Sequence, residues 1–127
     1  MRALVFYVAA SNFGLTMSIT RYKSNKRMSQ AVVHGGIVYT AGQVAMNAAG
    51  ESVQRQTEAI LTEIDSLLDG AGTDKSRLLS ATIWLANMAD FNRMNEVWDA
   101  WVIEAIHLQE PVSNQNWLPR NSQLRSL

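Results

Sequence analysis

The sequence predicts an α+β domain, a mixed sheet with two helices packed on one face, and three observations predict it. A Gly35-Gly36 pair separates two β-rich runs, two amphipathic stretches follow, and a short apolar run stands between those stretches. Helices that alternate with strands and follow a hairpin settle on one side of a sheet, because each has a single apolar face to bury.

Met17-Ser-Ile-Thr-Arg-Tyr-Lys-Ser24 reads as a natural start followed by a first strand. The hairpin is Ala31-Val32-Val33-His34, Gly35-Gly36, Ile37-Val38-Tyr39-Thr40-Ala41, since paired glycines reach the positive φ that tight hairpin turns require. Gly42 closes the second strand; it weakens pairing there but lets another group approach the backbone. Ala41-Gly42-Gln43 is therefore where a ligand is expected. Ser52 to Leu68 reads as a helix, with Val53, Ile60, Ile64, Leu67 and Leu68 on one face, and Gly70 and Gly72 stop it. Leu78 to Leu85 reads as a strand with one buried face. Asp90 is the expected N-cap of a second helix carrying Phe91, Met94, Val97, Trp98, Trp101 and Val102 at helical spacing. A Met and Trp stripe of this kind reads as core or subunit contact rather than a cofactor box. After Glu104 the pattern dissolves, where the sheet still needs a further strand.

With 127 residues the chain holds one domain and can bury a core without disulfides or metal. It has no Cys, which excludes thiol nucleophiles and Cys-zinc sites. Eleven basic residues balance 11 acidic ones, which argues against a mainly electrostatic nucleic-acid binder. No run approaches the length of a membrane span, so a cytoplasmic protein with no nucleic-acid or membrane partner is expected. Arg2, Arg21, Lys23, Lys26 and Arg27 stand in residues 1–30 with no acid, a basic stretch read as solvated loop. Residues 1–16 have the outline of a minimal secretory signal and are read instead as an N-terminal extension, in-frame sequence upstream of Met17. The expected domain is 17–104, and 105–127 form an irregular tail.

Spacing alone yields no catalytic residue and no metal site. His34 and His107 lack ligand neighbours at useful spacing, and no P-loop, dinucleotide fingerprint or nucleophile elbow is present. Glu58, Glu63 and Asp65 read as the wet face of a helix.

Ser29-Gln30-Ala31-Val32, Val38-Tyr39-Thr40-Ala41-Gly42-Gln43, the helix ending Gly70-Ala71-Gly72, and Asp90-Phe91 followed by Met94-Asn95-Glu96-Val97-Trp98 occur in one order. That succession, over about Ile19 to Glu104, resembles the RidA/YjgF reactive-intermediate deaminase family, whose older names include L-PSP endoribonuclease and translation inhibitor. The resemblance implies a chorismate-mutase-like homotrimer with ligand clefts between subunits. It implies hydrolysis of small enamine or imine carboxylates, such as 2-aminoacrylate, to keto acid and ammonia without a cofactor. By matching position, Ala41 and Gly42 would line the cleft, Asn95 would order its wall, and Trp84 would stand near the ligand. A non-catalytic metabolite-binding module is the competing expectation. RNA cleavage is disfavoured, because the charge is neutral and no His–His or His–Lys pairing suits acid–base work.

Two departures from the family pattern stand out. Lys26-Arg27-Met28 replaces the usual Gly-Pro-Tyr, removing the tyrosine that commonly closes the cleft. The closing strands, one with P-A-R-x-x-V and its carboxylate-clamping Arg, one with V-E, are missing, and Arg120 and Arg125 sit in unrelated contexts. Restoring one base after the Glu104 codon lets codons compatible with Ala105 to Leu127 read G-H-T-P-A-R-A-C-V-Q-P-E-L-A-S-P-E-F-A-V-E-V-V, which holds both motifs. A frameshift is thus the expected origin of the tail. The expected consequence is an impaired, aggregation-prone chain with an uncovered sheet edge and a part-exposed first helix.

Overall fold

The computed structural model describes residues 4–12, 18–108 and 123–126. The elements are β1 (Leu4–Ser11), β2 (Thr20–Tyr22), β3 (Ala31–His34), β4 (Ile37–Thr40), α1 (Val53–Gly70), β5 (Leu78–Leu85), α2 (Phe91–Leu108) and β6 (Gln123–Ser126). They form one six-stranded sheet in the order β2-β3-β4-β1-β5-β6. Neighbours run antiparallel except β5 and β6, which are parallel.

The hairpin turns where the glycines predict it: Gly35 and Gly36 have φ of +60° and +78°, and His34 pairs with Ile37. Ser52 caps α1 by accepting the Arg55 N–H. Of the two glycines expected to stop α1, Gly70 remains helical and Gly72 does the work, with φ +80°. Its N–H donates to the Asp69 carbonyl and the Thr73 N–H to the Leu68 carbonyl, the two bonds of a Schellman cap. Asn87 accepts the Ala89 N–H and caps the short turn Met88–Asp90 that runs into α2.

The structure differs from the sequence reading at both ends. Residues 4–11 are the strand between β4 and β5, paired with both through registers such as Ala9 with Tyr39 and Phe6 with Ile83. The physical reason is plain in Leu4-Val-Phe-Tyr-Val-Ala-Ala10. Period-two alternation sends Leu4, Phe6, Val8 and Ala10 to the helix side, where all are buried. At the other end, α2 continues past Glu104 to Leu108 because Ala105 extends its buried stripe, and β6 adds the strand that the sheet lacked after α2. The apolar face of α1 is correspondingly covered rather than part-exposed: Ile60, Ile64 and Leu68 are wholly buried. The expected start at Met17 lies outside the described residues, as does most of the tail.

Both helices pack on one face of the sheet. Phe6 is wholly buried under them, its ring 6.1 Å from that of Trp98, which lies tilted in turn 5.4 Å from Trp101. Burying side chains of this size stabilises by about 1.5–3 kcal/mol each. The stripe of Met94, Trp98, Trp101 and Val102 is core, as its spacing predicts. The opposite face of the sheet carries Val5, Tyr7, Ile37, Tyr39 and Trp84 and, among the described residues, no helix; Tyr7 and Tyr39 are 43% and 48% exposed.

Candidate functional site

The site grows from the end of β4. Thr40 is the last strand residue, and its hydroxyl accepts the Val8 N–H at 3.0 Å, tying β4 to β1. The chain then stays attached on both sides. The Ala41 N–H donates to the Gln30 carbonyl, and Gln43 exchanges both backbone bonds with Phe6, at 2.7 and 3.0 Å. Gly42 lies between these anchors, and among the described residues neither its N–H nor its carbonyl has a hydrogen-bonding partner. A backbone donor and acceptor held by rigid neighbours and left unused is a binding resource.

Above Gly42 stands Tyr7. A Cβ built on Gly42 would meet Tyr7 Cζ at 2.8 Å and the phenol oxygen at 2.9 Å, so only glycine admits the ring. Together they line a cavity of about 710 Å³ with Met28, Gln30, Gln43 and Glu63. Gln43 Nε2 donates to Gln30 Oε1 at 3.0 Å and to the Ala41 carbonyl at 3.1 Å, which fixes the amide. Lys23 bonds Glu63 at 3.0 Å, joining the segment after β2 to α1 at the cavity wall.

Of the residues expected from sequence, Gly42 lines this cavity and Ala41 adjoins it. Trp84 lies half-buried on the helix-free face, in register with Val5 of the cavity wall. Asn95 is half-buried on α2, in the helix layer. Within one chain, then, neither Trp84 nor Asn95 lines the cavity around Gly42. Tyr7 went unrecognised because it lies in the segment read as an extension; the aromatic and β-branched alternation of Leu4 to Val8 was the available sign.

A separate groove of about 530 Å³ runs between the helices, walled by Glu58, Asp65, Glu96, Trp101 and Glu104. Burial pushes the Asp65 carboxyl above its ordinary range, against the opposing effects of the Trp101 indole N–H, 3.1 Å away, and Lys75. Glu104 is held below its ordinary range by its hydrogen bond and attraction to Lys75. No group of His, Cys, Asp and Glu among the described residues is arranged to hold a metal ion. No helix among them is long and apolar enough to cross a membrane.

The model of the family described as Endoribonuclease L-PSP matches residues 18–116. The chain belongs to this family. Within the L-PSP family, a RutC family protein of Haemophilus ducreyi is 41% identical over 104 residues, 78% of this chain and 88% of that protein. A protein named Reactive Intermediate Deaminase A, chloroplastic, from Arabidopsis thaliana is 33% identical over 75 residues, 55% of this chain and 40% of that protein. The crystal structure of a YjgF-family member of Neisseria meningitidis superposes with a TM-score of 0.66 at 32% identity, covering 87% of this chain and 80% of that one. The α+β fold is thus the fold of the L-PSP family. Strand β1 lies outside the family-matched residues yet inside the sheet.

Proposed function

We propose that the Gly42–Tyr7 cavity binds small enamine or imine carboxylates and hydrolyses them to a keto acid and ammonia. Water adds to the imine carbon, the carbon–nitrogen bond breaks, and the nitrogen leaves as ammonia. The observation that carries this reading is Gly42, whose uncommitted N–H and carbonyl sit between two anchored residues beneath an aromatic ring. Such a backbone edge holds a planar polar group by hydrogen bonds while the ring covers its face. The kinship with a protein named as a reactive intermediate deaminase supports it. So does the cavity's neutral amide lining of Gln30 and Gln43, which can place a water.

The helix-free face, with Tyr7 and Tyr39 exposed beside Val5 and Trp84, is the face by which three copies would assemble in the cytoplasm. In a trimer built on that face Trp84 of one copy can approach the cleft of the next, while Asn95 stays in the helix layer. Turnover by the chain as printed is expected to be slow, since no P-A-R motif follows α2. A frameshift after the Glu104 codon remains the proposed origin of that departure, and DNA sequencing across the codon tests it.

The functional test is removal of 2-aminoacrylate, generated by a pyridoxal-phosphate lyase and followed as pyruvate and ammonia, by this chain and by a version in the restored frame. Hydrolysis above buffer by the restored form, and weaker hydrolysis by this chain, is expected. Binding without acceleration in either would instead support the non-catalytic metabolite-binding reading.

A further inference from the structure

A further cavity, of about 410 Å³, opens at the β2 edge of the sheet, and Met28 is part of its wall as well as of the Gly42 cavity. Its polar lining comes from Arg21, Ser24, Asn25, Arg27 and Ser29. Arg21 is placed by its strand, where it pairs with Val32, itself a wall residue. Arg27 is placed by a closed turn: Asn25 Oδ1 accepts the Arg27 and Met28 N–H groups at 2.8 and 3.0 Å. The Ser24 and Ser29 hydroxyls, 2.8 Å apart, draw the neck of the loop together.

The electrostatics are one-sided. Lys23 is paired with Glu63, but among the described residues neither Arg21 nor Arg27 forms an ion pair. From Ser18 to Gln30 the chain holds four bases and no acid. Two uncommitted guanidinium forks facing one concavity are suited to an anion, above all a carboxylate taken bidentately.

We propose that Arg21 and Arg27 form an anion subsite for the far end of the ligand whose imine rests at Gly42. The inference rests on the deaminase-type reading and extends it to substrate shape. Because Met28 stands between the two cavities, the anion and the reacting group lie on opposite sides of that side chain. The subsite therefore selects imino acids with a second, distal carboxylate over short monoacids.

The test uses product-type probes, so it needs no turnover: 2-oxoglutarate, 2-oxobutanoate and inorganic phosphate, titrated by NMR into the full chain and into R21Q/R27Q. The exposed Arg93→Gln is the control, and unchanged melting temperatures show that the variants fold. Expected is 2-oxoglutarate binding about tenfold tighter than 2-oxobutanoate, shifting the amides of both Met28 and Gly42, with the preference falling to within about twofold in R21Q/R27Q. Equal affinity for the two keto acids, or a preference untouched by R21Q/R27Q, overturns the subsite. Phosphate binding tighter than the diacid without moving Gly42 also overturns it, since the pocket is then an independent phosphate site. Failure to hydrolyse imines, with the diacid preference intact, sinks the deaminase reading and leaves the subsite standing.

Discussion

Tyr7 and Gly42 touch across the boundary between β1 and the end of β4, with no room for a methyl group between them. Gly42→Ala must push the ring aside or shift the backbone, at a cost of about 1–3 kcal/mol. Tyr7 is part-exposed, so the relief is expected at the ring. Gly42→Ala should therefore lower the urea midpoint in the wild-type background and much less in a Tyr7→Ala background. Additive effects of the two substitutions would show that the contact is not the source of the cost.

Phe6 tests the place of β1 in the fold. It is wholly buried and meets Trp98, and Phe6→Ala should cost about 3–5 kcal/mol, a large part of a typical domain's total stability of about 5–15 kcal/mol. A chain beginning at Met17 loses the whole strand and should show no cooperative melt by circular dichroism. A sharp melt from that shortened chain would mean that residues 4–11 are dispensable.

Asp65 carries a pH signature. Its folded pKa lies above its unfolded value of 3.8 because burial disfavours the charge, so the folded state holds the proton more tightly. Stability from this group is fully present below the unfolded pKa and falls as pH rises through the folded one. Asp65→Asn keeps an acceptor for Trp101 and removes a partly desolvated charge. It should raise the melting temperature at neutral pH and make little difference in the acid range below the unfolded pKa. The opposite pattern would contradict the desolvation account.

Glu104 gives the mirror image. Its folded pKa lies below the usual 4.5 through Lys75, so its contribution is present above that value and is lost as pH falls through the folded pKa. Lys75 is 8% exposed at the side chain and also lies 5.2 Å from the Trp101 ring centre. Glu104→Gln should thus lower the melting temperature at pH 7, and the loss should fade on acidification. Lys75→Met, which removes the buried ammonium with its partner's task, should cost less than Lys75→Ala, which also empties the space.

The helix-free face offers a test of assembly. Tyr39→Glu places a charge on that face without touching the core. If three copies meet there, light scattering should show the trimer mass for the parent chain and the monomer mass for the variant. Polydisperse aggregate in the parent would instead bear out the destabilisation expected from the altered tail.

Much of this molecule is legible from local pattern. Gly35-Gly36, Ser52, Gly72 and the alternation of Leu78 to Leu85 each act through backbone geometry or burial within a few residues, and each specifies its element. The candidate site is only half legible. Gly42 can be picked out because glycine at a strand end has a small set of causes, but Tyr7 is 35 residues away and reaches it only through the sheet order. Residues 4–11 read as an extension because a short apolar run does not show which strands it pairs with; the slot that β4 and β5 leave open exists only once the chain has folded. The Arg21–Arg27 pocket escapes for a similar reason, since sparse charges read as loop until a turn brings them around one hollow.

Strand β1 is synthesised first, yet its partners are Ile37 to Tyr39 and Leu78 to Leu85. While the ribosome works through most of the chain, an apolar ribbon that will become the middle of the sheet has nothing to pair with. Closure must wait for contacts of long sequence separation, which are slow to form and leave such a segment open to wrong partners. Yield in the cell should therefore depend on chaperones that hold emerging, still unpaired segments more than on the stability of the finished domain.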